Sequence, residues 1–332
     1  MSGVASASGA RGSRRSAAAL RGLFRDRPIV PLLILLAILV VLSELVRPGI
    51  VSPEWIAVIL RASVPLAILA GCQTLTMLTG GIDLSVGAVA SMSGFVVATF
   101  VLTLGTPAGI VIALVVAALA GLVTGVGVGV FRVHPLIMTL GMSLVVLGLA
   151  NVWQLQMVKT NSGVPPELRW LGSTLVLGVL PVSLLVFIPL TAGILLGLRR
   201  TGYGRLLYAI GDNPVAARLA GARSWQVLVV LYVISALMAA VAGFLLAGLT
   251  NVASVSLADS SVLPSVAAAV IGGTSIMGGR GGFGGAIVGA LILTVISSLL
   301  SSLGYPEAVR QILFGAIIVV VAAAYTRVTS ES

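Results

Sequence analysis

A succession of long apolar runs, separated by short polar connections, constrains this chain more than any other feature. Ten runs can be drawn: Ile29–Val46, Trp55–Leu78, Gly87–Leu102, Ala108–Val130, Leu136–Gln154, Thr174–Leu198, Trp225–Leu249, Leu263–Met277, Phe283–Leu300 and Ala308–Tyr325. Crossing ~30 Å of hydrocarbon takes about 20 mostly apolar residues, because each backbone group must find its partner inside the segment. The expected fold is therefore an all-α integral membrane bundle of about ten transmembrane helices. The run before Met277 is short for a span; a re-entrant element there would leave eight or nine. Charged residues make up 8% of the chain against 58% hydrophobic, and mean hydropathy is +1.18. A soluble domain carries about a quarter charged residues, so this chain could not cover a water-facing surface.

The net charge of +10 is distributed in a way that excludes nucleic acid as partner. The positive residues occupy short connections, where they orient helices in a bilayer, and no zinc spacing or base-stacking motif accompanies them. With the N-terminus inside, the inner side receives Arg11, Arg14, Arg15, Arg21, Arg25, Arg27, Arg132, Arg199, Arg200, Arg205, Arg218, Arg223, Arg280 and Arg327. Arg47, Lys159, Arg169 and Arg310 fall outside, and Arg61 lies within a span. This bias places both termini in the cytoplasm. Residues 1–27 read as a disordered basic tail, because Ile29–Val46 is too long for the apolar core of a signal peptide and lacks a small-residue cleavage site after it. Residues 28–326 then form the membrane domain, and 327–332 a short cytoplasmic tail.

One cysteine, Cys72, permits neither an intrachain disulfide nor a thiolate cluster. There is no G-x-x-x-x-G-K-[ST] loop, no nucleophile elbow, no H-E-x-x-H and one histidine, His134. Catalysis by this chain is not expected, nor is a cofactor or metal. Stripes of glycine at four-residue spacing, Gly121/Gly125/Gly129 and Gly281/Gly285/Gly289, let helix backbones approach closely in lipid and read as packing.

The longest internal polar stretch, residues 199–224, reads as a structured cytoplasmic elbow. Helices are expected over Gly204–Ile210 and Pro214–Ala220, joined by a Gly-Asp-Asn-Pro turn, with Asp212 or Asn213 as cap and Gly221 as terminator. Two glycine-rich interruptions break the apolar pattern. The first runs from Leu78 to Gly87 and holds Gly80, Gly81, Asp83 and Ser85; Asp83 can cap the following helix or serve a gate or pathway. The second runs from Val270 to Gly285 and holds Gly272, Gly273, Gly278 and Gly279. Broken helices of this kind often flank a transport route.

These three segments together, TGGIDLSVG at 79–87, GYGR at 202–205 with AIGDNPVAARLAG at 209–221, and IGGTSIMGGRGG at 271–282, resemble the ribose/xylose/arabinose-type permeases of bacterial ATP-binding-cassette importers. The resemblance covers roughly residues 28 to 326. It implies a type II-like importer bundle in the bacterial inner membrane that pairs with a second permease subunit and a separate cytoplasmic ATPase. A monosaccharide would arrive from an extracytoplasmic sugar-binding protein. It also implies that Arg205, Gly211, Asn213, Ala217, Arg218 and Gly221 lie in the segment that couples to the ATPase. Within the spans, Gln73, Thr74, Thr76, Ser91, Ser93, Asn151 and Gln154 are the candidates for a hydroxyl-matching path, each also able to serve as an inter-helix hydrogen bond. A branched-chain amino-acid or nucleoside permease is the alternative substrate class, and an ion-coupled transporter, for which Asp83 is the one clear intramembrane acid, the alternative mechanism.

Overall fold

A computed structural model describes residues 29–157 and 163–330. The basic tail, Lys159 and the last two residues lie outside them. Helices α1 (Ile29–Val46), α2 (Pro53–Met77), α3 (Val86–Leu104), α4 (Thr106–Gly129) and α5 (Pro135–Met157) come first. A short α6 (Pro166–Ser173) and a hairpin, β1 (Leu175–Val176) with β2 (Leu180–Pro181), lead to α7 (Leu184–Arg200). The elbow comprises α8 (Gly202–Asp212) and α9 (Pro214–Leu219); α10 (Ser224–Thr250), α11 (Val262–Ile271), α12 (Phe283–Ser302) and α13 (Glu307–Ser330) complete the chain.

Among the described residues, seven helices are long and apolar enough to cross a membrane, and α7 with α8 forms an eighth candidate bent by 69°. Helix α13 covers the run Ala308–Tyr325 in one piece, and two other runs are interrupted. Thr174–Leu198 is not one helix: Gly178 and Pro181 interrupt the apolar run, and its first residues fold into the hairpin, so α7 begins only at Leu184. The run from Leu263 to Met277 is corrected further. Its helix α11 has ten residues, about 15 Å at 1.5 Å per residue, half of what the bilayer needs. The other half of that pass, from Asn251 to Ser261, is non-helical apart from one 3₁₀ turn at Asp259–Ser261. The chain still travels from the far end of α10 to the elbow face, where α12 begins.

Helix α10 is the axis, packed against α2, α3 and α4. The stripe Gly121/Gly125/Gly129 makes that contact possible. A Cβ at Gly125 would sit 2.7 Å from Val229 Cα, and one at Gly121 2.6 Å from the Tyr232 carbonyl. The second stripe is corrected: Gly285 and Gly289 on α12 lie against the backbone of Gly272 and Ala268, but Gly281 sits before the helix with φ 134°. Helix α1 is peripheral, with Ser43 its one buried residue and the rest half-buried or exposed, as expected of a lipid-facing helix. At the far face, the Arg47 guanidinium donates to the Ser302 carbonyl (3.0 Å) and the Trp55 indole to Ser298 Oγ (2.8 Å), joining α1 and α2 to α12. Arg61, on α2, donates to the Ser173 carbonyl at the end of α6 (2.8 Å).

Replacing Gly125 by Val should force α4 away from α10 and cost on the order of 1–3 kcal/mol. Gly148→Ala, into open space on α5, should leave the melting temperature of the detergent-solubilised protein unchanged. Equal melting of the two variants would show that the stripe does not set the α4–α10 distance.

Candidate functional site

Three segments far apart in sequence meet at one point on the elbow face. The Gly279 N–H donates to the Leu78 carbonyl (3.0 Å), tying the two glycine-rich interruptions together. Gly211 of α8 presses against both: a Cβ there would overlap the Leu78 carbonyl oxygen and lie 2.5 Å from the Gly279 nitrogen. A Cβ on Gly278 would lie 2.8 Å from the Gly211 carbonyl and 3.1 Å from the Gly80 nitrogen. Gly80, Gly278 and Gly279 all have φ between 70° and 93°, the left-handed region that favours glycine. The junction is thus backbone against backbone, and glycine is what allows it.

Side chains bolt the elbow down further. Tyr208 donates its phenol to the Gly281 carbonyl (2.9 Å), and Tyr203 to the Val227 carbonyl on α10 (3.0 Å). Thr201 caps α8 by accepting the Gly204 N–H (3.1 Å). Asn213, rather than Asp212, caps α9, accepting the N–H groups of Val215 (3.0 Å) and Ala216 (2.9 Å). The expected four-residue turn is shorter than drawn, because Gly211 and Asp212 complete α8 and the break falls at Asn213. Arg205, Asn213, Arg218 and Gly221 are exposed on the elbow. Ala217, at 6% exposure, is the buried member of α9 and packs mostly against its own chain.

Above the junction, residues 79–81 still bond back to the last turn of α2, and residues 82–84 climb into the bundle outside any helical ladder. Asp83 organises them. Its Oδ1 accepts the Ser85 N–H (3.0 Å) and hydroxyl (2.6 Å), and its Oδ2 accepts the Ser235 hydroxyl of α10 (3.0 Å). Ser235 lies eleven residues into α10, about 16 Å from the elbow end, so this acid is deep inside. Gln73 of α2 clasps the Asp83 backbone from both sides, donating to its carbonyl (2.8 Å) and accepting its N–H (3.2 Å). Thr139 of α5 accepts the Leu84 N–H and donates to the Ile82 carbonyl, both at 3.1 Å. A cap would explain the Ser85 N–H; the bonds to two hydroxyls show that Asp83 also joins the segment to α10.

The path candidates do not converge. Gln73, Thr74 and Thr76 are wholly buried; the two threonines bond back to carbonyls of their own helix. Ser93 does the same, to Val89, whereas Ser91 accepts the Ala258 N–H (2.8 Å) and holds the non-helical half-pass against α3. Gly87 lies beside Ala258 and Val262 in the same contact. Asn151 and Gln154 are exposed on α5, away from the α2 group. Gly81 packs against Pro135 and the Tyr232 hydroxyl; Gly272 packs on α12, and Gly273, with φ 86°, turns the chain beyond α11. Ser235, Thr139, Tyr203 and Tyr208 escaped the sequence reading because single polar residues inside apolar runs carry no pattern.

A bundle with two interrupted passes held against one elbow is an architecture that suits a membrane permease. The branched-chain amino acid transport system / permease component family matches residues 55–322, and this chain belongs to that family. It is 32% identical over 304 residues to the fructose import permease protein of Rhizobium meliloti, covering 89% of this chain and 84% of the relative. It is 33% identical to the ribose import permease protein of Escherichia coli K12, covering 89% and 92%. With the galactofuranose transporter permease protein of the same bacterium it shares 34% identity over 79% and 77%. No solved structure matches.

Asp83→Asn should be milder than Asp83→Leu. Asn keeps an acceptor for Ser85 and offers an amide to Ser235, whereas Leu strands buried donors at roughly 1–3 kcal/mol. Thermal melting of both variants in detergent reads the difference. If Asn instead destroyed transport in a normally folded protein, the charge itself would be required.

Proposed function

We propose that this chain is the permease subunit of an ATP-binding-cassette importer carrying a monosaccharide across the bacterial inner membrane. The observation that carries the reading is Gly211, where the elbow touches both broken passes at once. A force applied to α8 and α9 by a cytoplasmic ATPase has a rigid route to the non-helical segments of both passes. A second permease subunit and an extracytoplasmic sugar-binding protein complete the importer. Relatives are named as permeases for fructose, ribose, autoinducer 2 and galactofuranose, one more as a probable ABC transporter permease, which supports ATP-driven uptake of a hydroxylated solute.

The family description names branched-chain amino acids, so that substrate needs an argument of its own. A zwitterion entering the bilayer needs a cation for its carboxylate. Among the described residues within the spans, Arg61 is the basic residue away from helix ends, and its guanidinium is already bonded to Ser173. A neutral polyol fits better.

Two experiments test this reading. The first addresses orientation, with the elbow and both termini in the cytoplasm. Cys72 is wholly buried, so a single new thiol reports alone. Leu219→Cys on the elbow should resist a membrane-impermeant maleimide in intact cells, and Leu177→Cys on the hairpin should react; both sites are exposed, at 85% and 89%. The reverse pattern would invert the topology and remove the elbow from the ATPase. The second addresses coupling. Arg218→Glu is an exposed change that should cost folding no more than ~0.5 kcal/mol. It should nevertheless lower ATPase co-purification and sugar uptake together. Retention of both would take the coupling role away from α9.

A further inference from the structure

The far side of the broken α11 pass carries a groove that no part of the junction uses. Its volume is about 500 Å³, within the ~300–1,000 Å³ usual for small-molecule sites. Ser256, Asp259 and Ser260 of the non-helical half-pass form one wall, Leu263 and Pro264 of α11 the floor, and Gln311 and Phe314 of α13 the opposite wall. Gln311 lies four residues into α13, about 6 Å below its outer end, so the groove opens at the far face and reaches inward.

Three features make this more than a gap between helices. Irregular backbone persists at membrane depth where it is buried in protein or lines a polar cavity, and 251–261, with turns and one 3₁₀ turn in place of an α-helix, is such backbone. An acid in that setting is costly unless it serves a function. Finally, the Asp259 carboxylate and the Gln311 amide make no side-chain hydrogen bond to the described residues, unlike Asp83 and Gln73, whose polar atoms are occupied.

We infer that the Ser256–Asp259–Gln311 groove is an entry subsite for a neutral polyhydroxylated solute on the permease itself. The carboxylate accepts from two adjacent sugar hydroxyls, and the Gln311 amide donates and accepts, while Phe314, buried in the core, backs the wall behind them. An anionic solute would be repelled by Asp259, for which the groove holds no basic partner. The subsite is joined to the elbow. Ser91 holds Ala258, the residue before Asp259, against α3, and the entrance of α3 is held by Asp83 above the Leu78–Gly279–Gly211 contact. Movement at the elbow therefore reaches the groove wall.

This inference rests on the importer reading, and its test separates the two. Uptake of D-ribose, D-xylose, D-fructose and D-galactose is measured in cells expressing the complete importer with wild-type, Asp259→Asn, Gln311→Ala or, as control, Leu177→Ala permease. Capture from dilute solution belongs to the binding protein, so loss of a groove contact should lower maximal uptake about tenfold with little change in the half-saturating concentration. The control should match wild type. In parallel, Ser260→Cys in otherwise wild-type chain places a lone reactive thiol on the rim. The transported sugar should slow its labelling by an impermeant maleimide severalfold, and L-leucine should not. Wild type that carries none of the sugars overturns the importer reading for monosaccharides. Wild type that carries one, with uptake by Asp259→Asn and Gln311→Ala undiminished and Ser260→Cys unprotected, overturns the groove alone. A variant that fails to fold leaves the protection experiment to decide.

Discussion

A backbone N–H or C=O left unpaired in hydrocarbon costs several kcal/mol, and two passes of this bundle interrupt the helical ladder, one briefly before α3 and one over about half its length before α11. Everything distinctive about the structure follows from how those groups are satisfied. Residues 79–85 are held by side chains of three different helices: Gln73 from α2, Thr139 from α5 and Ser235 through Asp83 from α10. The non-helical half of the α11 pass is held by Ser91 from α3. Because each broken segment borrows its partners from neighbours, none can move alone. A shift of α10 relative to α2 would strain the Asp83 knot at once, and one at α3 would pull on Ala258.

The glycine junction is the mechanical counterpart of those knots. A contact of backbone on backbone has no side-chain rotamers to absorb displacement, so motion of α8 passes to Leu78 and Gly279 with little loss. The capped α9 and the phenol bonds of Tyr203 and Tyr208 keep the elbow from flexing as a loop would. Rigidity there and interrupted helices beyond it are complementary: under the proposed coupling, the elbow would deliver force and the segments lacking a helical ladder would respond to it.

Much of this was legible in the residues. The apolar runs located the long helices because length and hydropathy govern insertion, and the three glycine motifs marked the points that prove to be in contact. What was not legible has physical causes. Leu263–Met277 looks apolar throughout, yet Gly272 and Gly273 end α11 early, and nothing in the polarity of 251–261 announces a chain descending unwound into the bundle. Ala217 sits among exposed neighbours, but a six-residue helix shows one side to its own chain, and the spacing of alanines cannot reveal which. The buried polar side chains of α2 were read as path candidates by composition, whereas partners contributed by other helices decide their role.

That last point bears on where a solute can pass. Gln73, Thr74, Thr76 and Ser93 have their polar atoms engaged with backbone, so a sugar crossing among them would have to break bonds that hold the broken passes in place. A path through the middle of one chain would thus dismantle the structure that moves it. Polar side chains with no hydrogen bond to the described residues that also line an open groove are found at the periphery, with Asp259 and Gln311 on the face formed by α11 and α13. A peripheral polar groove in a lipid-embedded protein needs something to close it on the open side, because hydroxyls facing acyl chains would find no partners. A second permease subunit set against this face would supply that wall, place two grooves opposite each other, and leave each chain's internal hydrogen bonds intact during transport.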